Sequence, residues 1–140
     1  MTAESTETAH RHTPGLHGWV THTELSSDDP AATREWCATV LGWRFRPVMA
    51  TPAGDYHLFS YSEQGGGGVR ATAPGEPPGS TPTVHVDDAD AAFTAALAAG
   101  ASAVEDPHDV MPGVRVALVR APGGVLLGFS GPSRDGQAPA

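Results

Sequence analysis

Hydrophobic and polar positions along this chain fall into two stretches that repeat one another. Residues 19–49, WVTHTELSSDDPAATREWCATVLGWRFRPVM, read as an alternating strand, an acidic cap, a helix ended by Gly42 and a second strand. Residues 80–106, STPTVHVDDADAAFTAALAAGASAVED, give the same order ended by Gly100. An offset of 59 residues places Asp29 on Asp88, His22 on Thr81 and Glu24 on Thr83. Asp28 or Asp29 is the expected N-cap of the first helix, and Pro30 follows at the first helical position, where its missing N–H costs nothing. Trp36 with Val40 and Cys37 with Leu41 form i,i+4 pairs on the expected buried face, Trp36 being a core residue. Asp87 or Asp88 caps the second helix, whose stripe is Ala92, Phe93, Ala96 and Leu97.

Strand signals follow each helix. Trp43–Met49 and Tyr56–Tyr61 are rich in aromatic and β-favouring residues and are separated by a turn over 50–55. Val114–Val119 alternates, Pro122-Gly123-Gly124 is a hairpin turn, and Val125–Phe129 is a last apolar strand; His108 falls in an expected loop, Asp106–Asp109. The predicted fold is therefore α+β: two βαβββ modules pairing to form a curved-sheet cleft, since neither module buries its own sheet face alone. The modules span 16–73 and 81–130, joined by a Pro/Gly linker over 74–80. Residues 1–15 and 131–140 lack apolar periodicity and read as disordered tails.

Composition narrows the function. The 140 residues carry a net charge of −8, with eight arginines and no lysine, which excludes nucleic acid and anionic membrane as partners. One cysteine, Cys37, allows no intrachain disulfide, and it reads as helix packing. The chain has neither an apolar leader nor an 18-residue apolar run, so the expectation is a soluble, cytoplasmic protein.

The paired pattern is carried by VTHTELSSDDPAATREWCATVLGW in one half and by TVHVDDADAAFTAALAAGA and VRVALVRAPGGVLLGF in the other. It resembles the vicinal oxygen chelate superfamily, which includes glyoxalase I, extradiol dioxygenases and bleomycin-resistance proteins, over roughly residues 17–130. GGGGV looks like the glycine-rich strand of one branch of that superfamily. It is not a phosphate loop, because it lacks the Lys-Ser/Thr and the following helix. The resemblance implies a divalent ion held by His or Glu from the first and last strands of each unit. His22 can ligate, Thr81 cannot, and the last-strand positions near Gly128 and near Gly68 or Val69 are empty. One ligand of four is too few, so no metal and no cofactor are expected in the usual place. His22, Glu24 and His85 offer an alternative ion site, against the simpler reading of cavity-lining histidines.

Strand residues two apart share a face, which pairs His22 with Glu24, and Thr81 with Thr83 and His85. If these face the cleft, as the resemblance implies, the catalytic candidates are His22, Glu24 and His85: an imidazole takes a proton while Glu24 orients or relays it. Glu24 also reads as a buried acid tied to backbone. Trp43, Tyr56, His57, Phe59, Thr81 and Thr83 are the candidate substrate-binding residues, and the surplus of rings suits a flat aromatic ligand. Arg44, Arg46, Arg70 and Arg115 are available to neutralise one ligand carboxylate, and His10, His12, His17 and His108 read as solvated.

The favoured reading is a metal-independent acid–base enzyme that cyclises, isomerises, dehydrates or opens an aromatic or polyketide-like secondary metabolite, as in antibiotic biosynthesis. The alternative is a resistance protein that sequesters an aromatic antibiotic. A metal-dependent lyase or dioxygenase is the third. The fold does not arbitrate among them. An exposed glycine-rich strand edge invites pairing, so a homodimer is expected.

Overall fold

The computed structural model describes residues 15–133; the expected tails over 1–14 and 134–140, with His10 and His12, lie outside the described residues. The chain divides into two compact units, one of Val20–Thr83 and one formed by residues up to Trp19 with those from Val84 onward.

The first unit contains β1 (Val20–Ser27), α1 (Pro30–Leu41), β2 (Arg44–Phe45), β3 (Met49–Thr51), β4 (Gly54–Ser60) and β5 (Gly66–Ala71). Its sheet runs β2-β4-β5-β1, with β3 also paired to β4. The strand expected over Trp43–Met49 is thus two short pieces, both antiparallel to β4. Pro47, which has no N–H to give to a ladder, lies in the gap. Strands β1 and β5 are parallel with His22 opposite Gly66 and Glu24 opposite Gly68. Strands β4 and β5 are antiparallel with Tyr56 opposite Arg70 and Leu58 opposite Gly68.

Helix α1 starts and stops as its sequence dictates. Asp29 accepts from the Ala32 N–H at 3.1 Å, and Gly42 takes the left-handed conformation with φ +71°. The buried face differs from expectation: Cys37 is 4% exposed, but Trp36 is 57% exposed and Val40 and Leu41 point outward with it. Trp36 is therefore a surface residue, because the side that meets the sheet carries Thr33, Arg34 and Cys37. Thr33 bonds Ser27 Oγ at 2.7 Å, Arg34 meets His57 Nδ1 at 3.2 Å, and the Arg34 guanidinium lies 5.1 Å from the Phe45 ring centre. Beneath the helix sit Val69, Phe59 and His57, all buried.

Strand β6 (Gly79–His85) begins inside the expected linker, so the connection ends at Pro78. This connection is tied at both ends to the β1 region. Thr72 donates its N–H to Ser27 O at 3.0 Å and its hydroxyl to Asp28 at 2.9 Å, while Ser26 Oγ donates to Gly79 O at 3.3 Å.

The second unit continues with α2 (Ala89–Ala98), β7 (Ser102–Met111), β8 (Val114–Arg120) and β9 (Leu126–Gly131), its sheet running β9-β8-β7. Asp88 caps α2 through the Ala91 N–H at 3.1 Å, matching Asp29 in the repeat. Phe93, Ala117 and Val119 form the core with Ala96, Ala101, Leu127 and Phe129 around them, while Leu97 is exposed. The expected loop at Asp106–Asp109 is strand: His108 pairs with Val116, and Pro107 is tolerated because β7 lies at the end of this unit's ladder and its register shifts there. Gly131 belongs to β9, and Ser133, expected in a tail, is buried and donates to Asp109 at 2.9 Å. Among the described residues no helix is long and apolar enough to cross a membrane.

The glycines of β5 are required by close approach. A Cβ on Gly67 would fall on the Thr23 carbonyl and within 2.6 Å of the Phe59 ring, whereas one on Gly65 would meet only the Tyr61 ring at 2.8 Å. Gly67→Ala should therefore destabilise the protein by about 3 kcal/mol, the upper end of overpacking costs, and Gly65→Ala by under about 1 kcal/mol, because a surface ring can swing aside. Urea unfolding midpoints measure both, and equal values would refute this account of β5.

Candidate active site

Alternation on three adjacent strands builds one polar group on the sheet face of the first unit that looks away from α1. His22 and Glu24 stand two apart on β1, Tyr56 rises from β4, and Arg70 from β5. Between them lies Gly68, with no side chain. A Cβ there would coincide with the Tyr56 hydroxyl, so the glycine is what lets the phenol lean across β5 to β1.

The Tyr56 hydroxyl donates to Glu24 Oε1 at 2.8 Å. His22 Nε2 lies 3.2 Å from the Tyr56 oxygen and 3.4 Å from the same carboxylate oxygen. Since the one phenol proton goes to Glu24, the phenol oxygen is left to accept, and the network assigns the imidazole proton to Nε2. Nδ1 then carries the lone pair and has no hydrogen-bond partner among the described residues. The other carboxylate oxygen, Oε2, accepts from Arg70 Nε at 3.0 Å. Arg70 in turn forks onto Glu76, NH1 to Oε1 and NH2 to Oε2, both at 2.8 Å.

These contacts set the charges. Burial works to raise the Glu24 carboxyl, but hydrogen bonds from His22 and Tyr56 and the charge of Arg70 outweigh it, and the group sits below the usual range as a carboxylate. Burial, together with the Glu24 charge beside it, pushes the Tyr56 phenol well up, so it stays protonated and donating. The Arg70 fork and the Ala73 N–H bring Glu76 down from 4.5 to about 2.

The residues expected to form one site separate into two faces. His22, Glu24 and Tyr56 come together. His57 and Phe59, expected to bind substrate, are 5% and 3% exposed beneath α1, on the opposite face of β4 from Tyr56. Trp43 joins them there, stacked on Phe59 with ring centres 4.3 Å apart. These three rings therefore pack the core and its rim. Thr81 and Thr83 are half-buried on β6 and, among the described residues, make no side-chain hydrogen bond to the His22 group. His85 belongs to the second unit, where its backbone bonds Gly18 and Trp19 at 2.8 and 2.7 Å. Arg70, expected to be available to a ligand anion, is spent on Glu24 and Glu76. Arg115 is likewise held by Asp90 at 2.7 Å and Asp109 at 3.1 Å. Glu76 was not anticipated; its signal was a lone acid in a Pro/Gly segment. His17 is exposed and accepts from the Asp87 N–H at 3.2 Å, and His108 is exposed on β7.

The donor set does not fit a divalent ion of the kind the resemblance implies. His22 Nε2 is a proton donor here, both Glu24 oxygens are engaged, and the Arg70 cation lies against the carboxylate an ion would need. The β5 positions opposite His22 and Glu24 are Gly66 and Gly68, and the place of a ligand at Gly68 is taken by the Tyr56 hydroxyl. Among the described residues, no three His, Cys, Asp or Glu side chains gather where they could share an ion.

Two units of strand–helix–strands, one bearing a His–Glu–Tyr–Arg group on its open sheet face, define the glyoxalase-like α+β class. The Glyoxalase/Bleomycin resistance protein/Dioxygenase superfamily matches residues 19–129, and the chain belongs to it. Methylmalonyl-CoA epimerase from Mycobacterium tuberculosis is similar in structure at 18% identity and TM-score 0.68, covering 93% of this chain and 98% of that one. A hypothetical protein from Bacillus halodurans C-125 is similar at 13% identity and TM-score 0.67, covering 82% and 94%. A variant of Streptomyces coelicolor methylmalonyl-CoA epimerase in complex with 2-nitronate-propionyl-CoA is similar at 16% identity and TM-score 0.61, covering 84% and 98%. At these identities the likeness shows the fold alone. No curated protein matches the chain in sequence.

Glu24 and Glu76 both hold protons more weakly in the folded chain than in the unfolded one. The stability this confers is complete above the unfolded value of 4.5 and is lost as pH falls through the folded values, for Glu76 down to about 2. Unfolding free energy should therefore decline from about pH 5 to about pH 2, and Glu76→Gln should flatten that decline. Parallel curves for the two proteins in urea titrations would show that the Arg70 fork adds nothing to folding.

Proposed function

We propose that this protein is an acid–base enzyme that works without a metal ion and takes a proton from an uncharged substrate onto His22 Nδ1. The observation that supports it is the tautomer: Nε2–H is directed at the Tyr56–Glu24 pair, which leaves the opposite nitrogen basic on a side chain 33% exposed. Glu24 is the orienting group. Its oxygens are taken by Tyr56, His22 and Arg70 and its carboxyl is held below the usual range, so it makes a poor base.

Charge balance favours the same assignment. Two carboxylates, Glu24 and Glu76, share one guanidinium, so the group carries one surplus negative charge while His22 is neutral. A proton arriving on Nδ1 makes an imidazolium whose charge cancels this surplus. A carboxylate or phosphate brought to the same spot meets the surplus and finds Arg70 occupied. The substrate group at His22 is thus a neutral C–H or O–H acid, as in isomerisation, dehydration or ring closure of a carbonyl compound. The methylmalonyl-CoA epimerases among the structural neighbours show that this fold carries enzymes, but an anionic acyl-CoA suits the present charge balance poorly. Trp43 and Phe59 spend their faces on each other, so the reading names the reaction and the substrate's charge, with a polyketide-like carbonyl compound as its working class.

The test is solvent deuterium incorporation into a panel of neutral diketones and lactones, read by mass spectrometry. His22→Ala should lower exchange into any accepted compound about 10²–10⁴-fold, with binding measured by tryptophan fluorescence changed far less. A compound that the wild-type protein binds tightly and returns unchanged and undeuterated would replace this reading with sequestration of a small-molecule antibiotic.

A further inference from the structure

The connection between β5 and β6 contains one charged residue, Glu76, and the chain bends to aim it. Gly75 adopts φ +80°, the Glu76 N–H returns to Ala73 O at 2.9 Å, and the Ala73 N–H donates to Glu76 Oε1 at 2.8 Å. The carboxylate is therefore fixed by its own turn before it meets Arg70, and the turn is fixed by the ties from Thr72 and Gly79 to the β1 region. What Glu76 does to Arg70 follows from guanidinium geometry. Left alone with a carboxylate, an arginine prefers to present two parallel N–H groups to both oxygens. Glu76 takes one N–H from each of NH1 and NH2, and Ala71 O accepts from NH1 at 3.0 Å, which pins the guanidinium so that it reaches Glu24 through Nε–H alone and its second two-pronged edge, Nε–H with NH2–H, does not close on both Glu24 oxygens. Glu24 then gives up Oε2 alone and keeps Oε1 for Tyr56 and His22.

We propose that Glu76 is a positioning residue of the His22 site: by occupying the Arg70 fork it keeps Glu24 Oε1 turned to Tyr56 and His22, and so holds the imidazole in its Nε2–H form. This rests on the acid–base reading of His22, in which Nδ1 is the free base. Without Glu76 the guanidinium is free to turn its Nε–H/NH2–H edge onto both Glu24 oxygens, Tyr56 and His22 then share Oε1 with the cation, and the weaker hold on the His22 ring lets it populate its Nδ1–H form and rotate.

The experiment is nuclear magnetic resonance of the full-length protein with labelled histidine and tyrosine and no ligand present. Wild type should show the ¹⁵N pattern of an Nε2–H imidazole at His22 and a slowly exchanging Tyr56 hydroxyl proton. Glu76→Ala should mix the His22 tautomers and speed Tyr56 hydroxyl exchange at least tenfold. Arg70→Met, which removes the fork itself, should also change both signals, and Glu76→Ala added to it should change nothing further, since Glu76 acts through Arg70. Thr72→Val, which removes only the hydroxyl bond to Asp28 and keeps the Thr72 N–H on Ser27 O and the turn's own bonds, should keep the wild-type signals. Wild-type His22 and Tyr56 signals in folded Glu76→Ala, or an effect that adds to that of Arg70→Met, would overturn the proposal; if Glu76→Ala does not fold, Glu76→Gln is judged by the same signals. Because no turnover is read, this failure is distinct from failure of the acid–base reading, which appears as absent deuterium incorporation by the wild-type protein.

Discussion

The structure of the first unit turns on a stretch of strand with no side chains. At Gly66, Gly67 and Gly68 the sheet is only backbone thick, and residues of the flanking strands use the vacated room on both faces. On one face the Phe59 ring lies so close to Gly67 that a methyl group there would overlap it, and α1 closes over the result. On the other the Tyr56 phenol crosses the space above Gly68 and reaches Glu24 on β1. Glycine weakens a strand through its entropy and its missing contacts. Here the neighbouring aromatics restore the contacts, and the rescue places a hydroxyl against a carboxylate two strands away.

That one contact organises the electrostatics. A half-buried carboxylate needs partners, and Glu24 has a neutral donor on one oxygen and a cation on the other. The phenol makes the imidazole's orientation specific, because its oxygen is free to accept once its proton is given away. Had Arg70 taken both oxygens, the result would have been an ordinary ion pair with His22 unengaged. Glu76 works against this by pinning the guanidinium in place.

Much of this was legible in the residues. The acid-to-glycine helices, the strands between them and the pairing of His22 with Glu24 on one face follow from local chemistry, and Asp29 and Asp88 cap as their positions in the repeat require. The parity of β4 is legible too: Tyr56 and His57 are adjacent in a strand, so they cannot line the same face, and Phe59 must follow His57. Other features depend on partners distant in the chain. That Arg70 meets Glu24 depends on the parallel register of β1 with β5, which no local pattern encodes. Trp36 was misplaced because α1 buries a narrow side built on Thr33, Arg34 and Cys37, and a small polar and cationic face does not announce itself as the inner one. Pro47 did signal the break between β2 and β3.

The same arrangement explains why the His22 group lacks the ligand set that the resemblance implies. A divalent ion at His22 and Glu24 would need the Nε2 lone pair, an open carboxylate oxygen and a further ligand near Gly68. Each of these is removed by a separate feature: the Nε2 proton, the Arg70 cation and the Tyr56 hydroxyl. Replacing one alone would leave the other two in place. What an ion supplies in such a fold is a fixed positive charge beside the substrate. Here the positive charge is a guanidinium tied to two carboxylates, so the group's own charge is net negative.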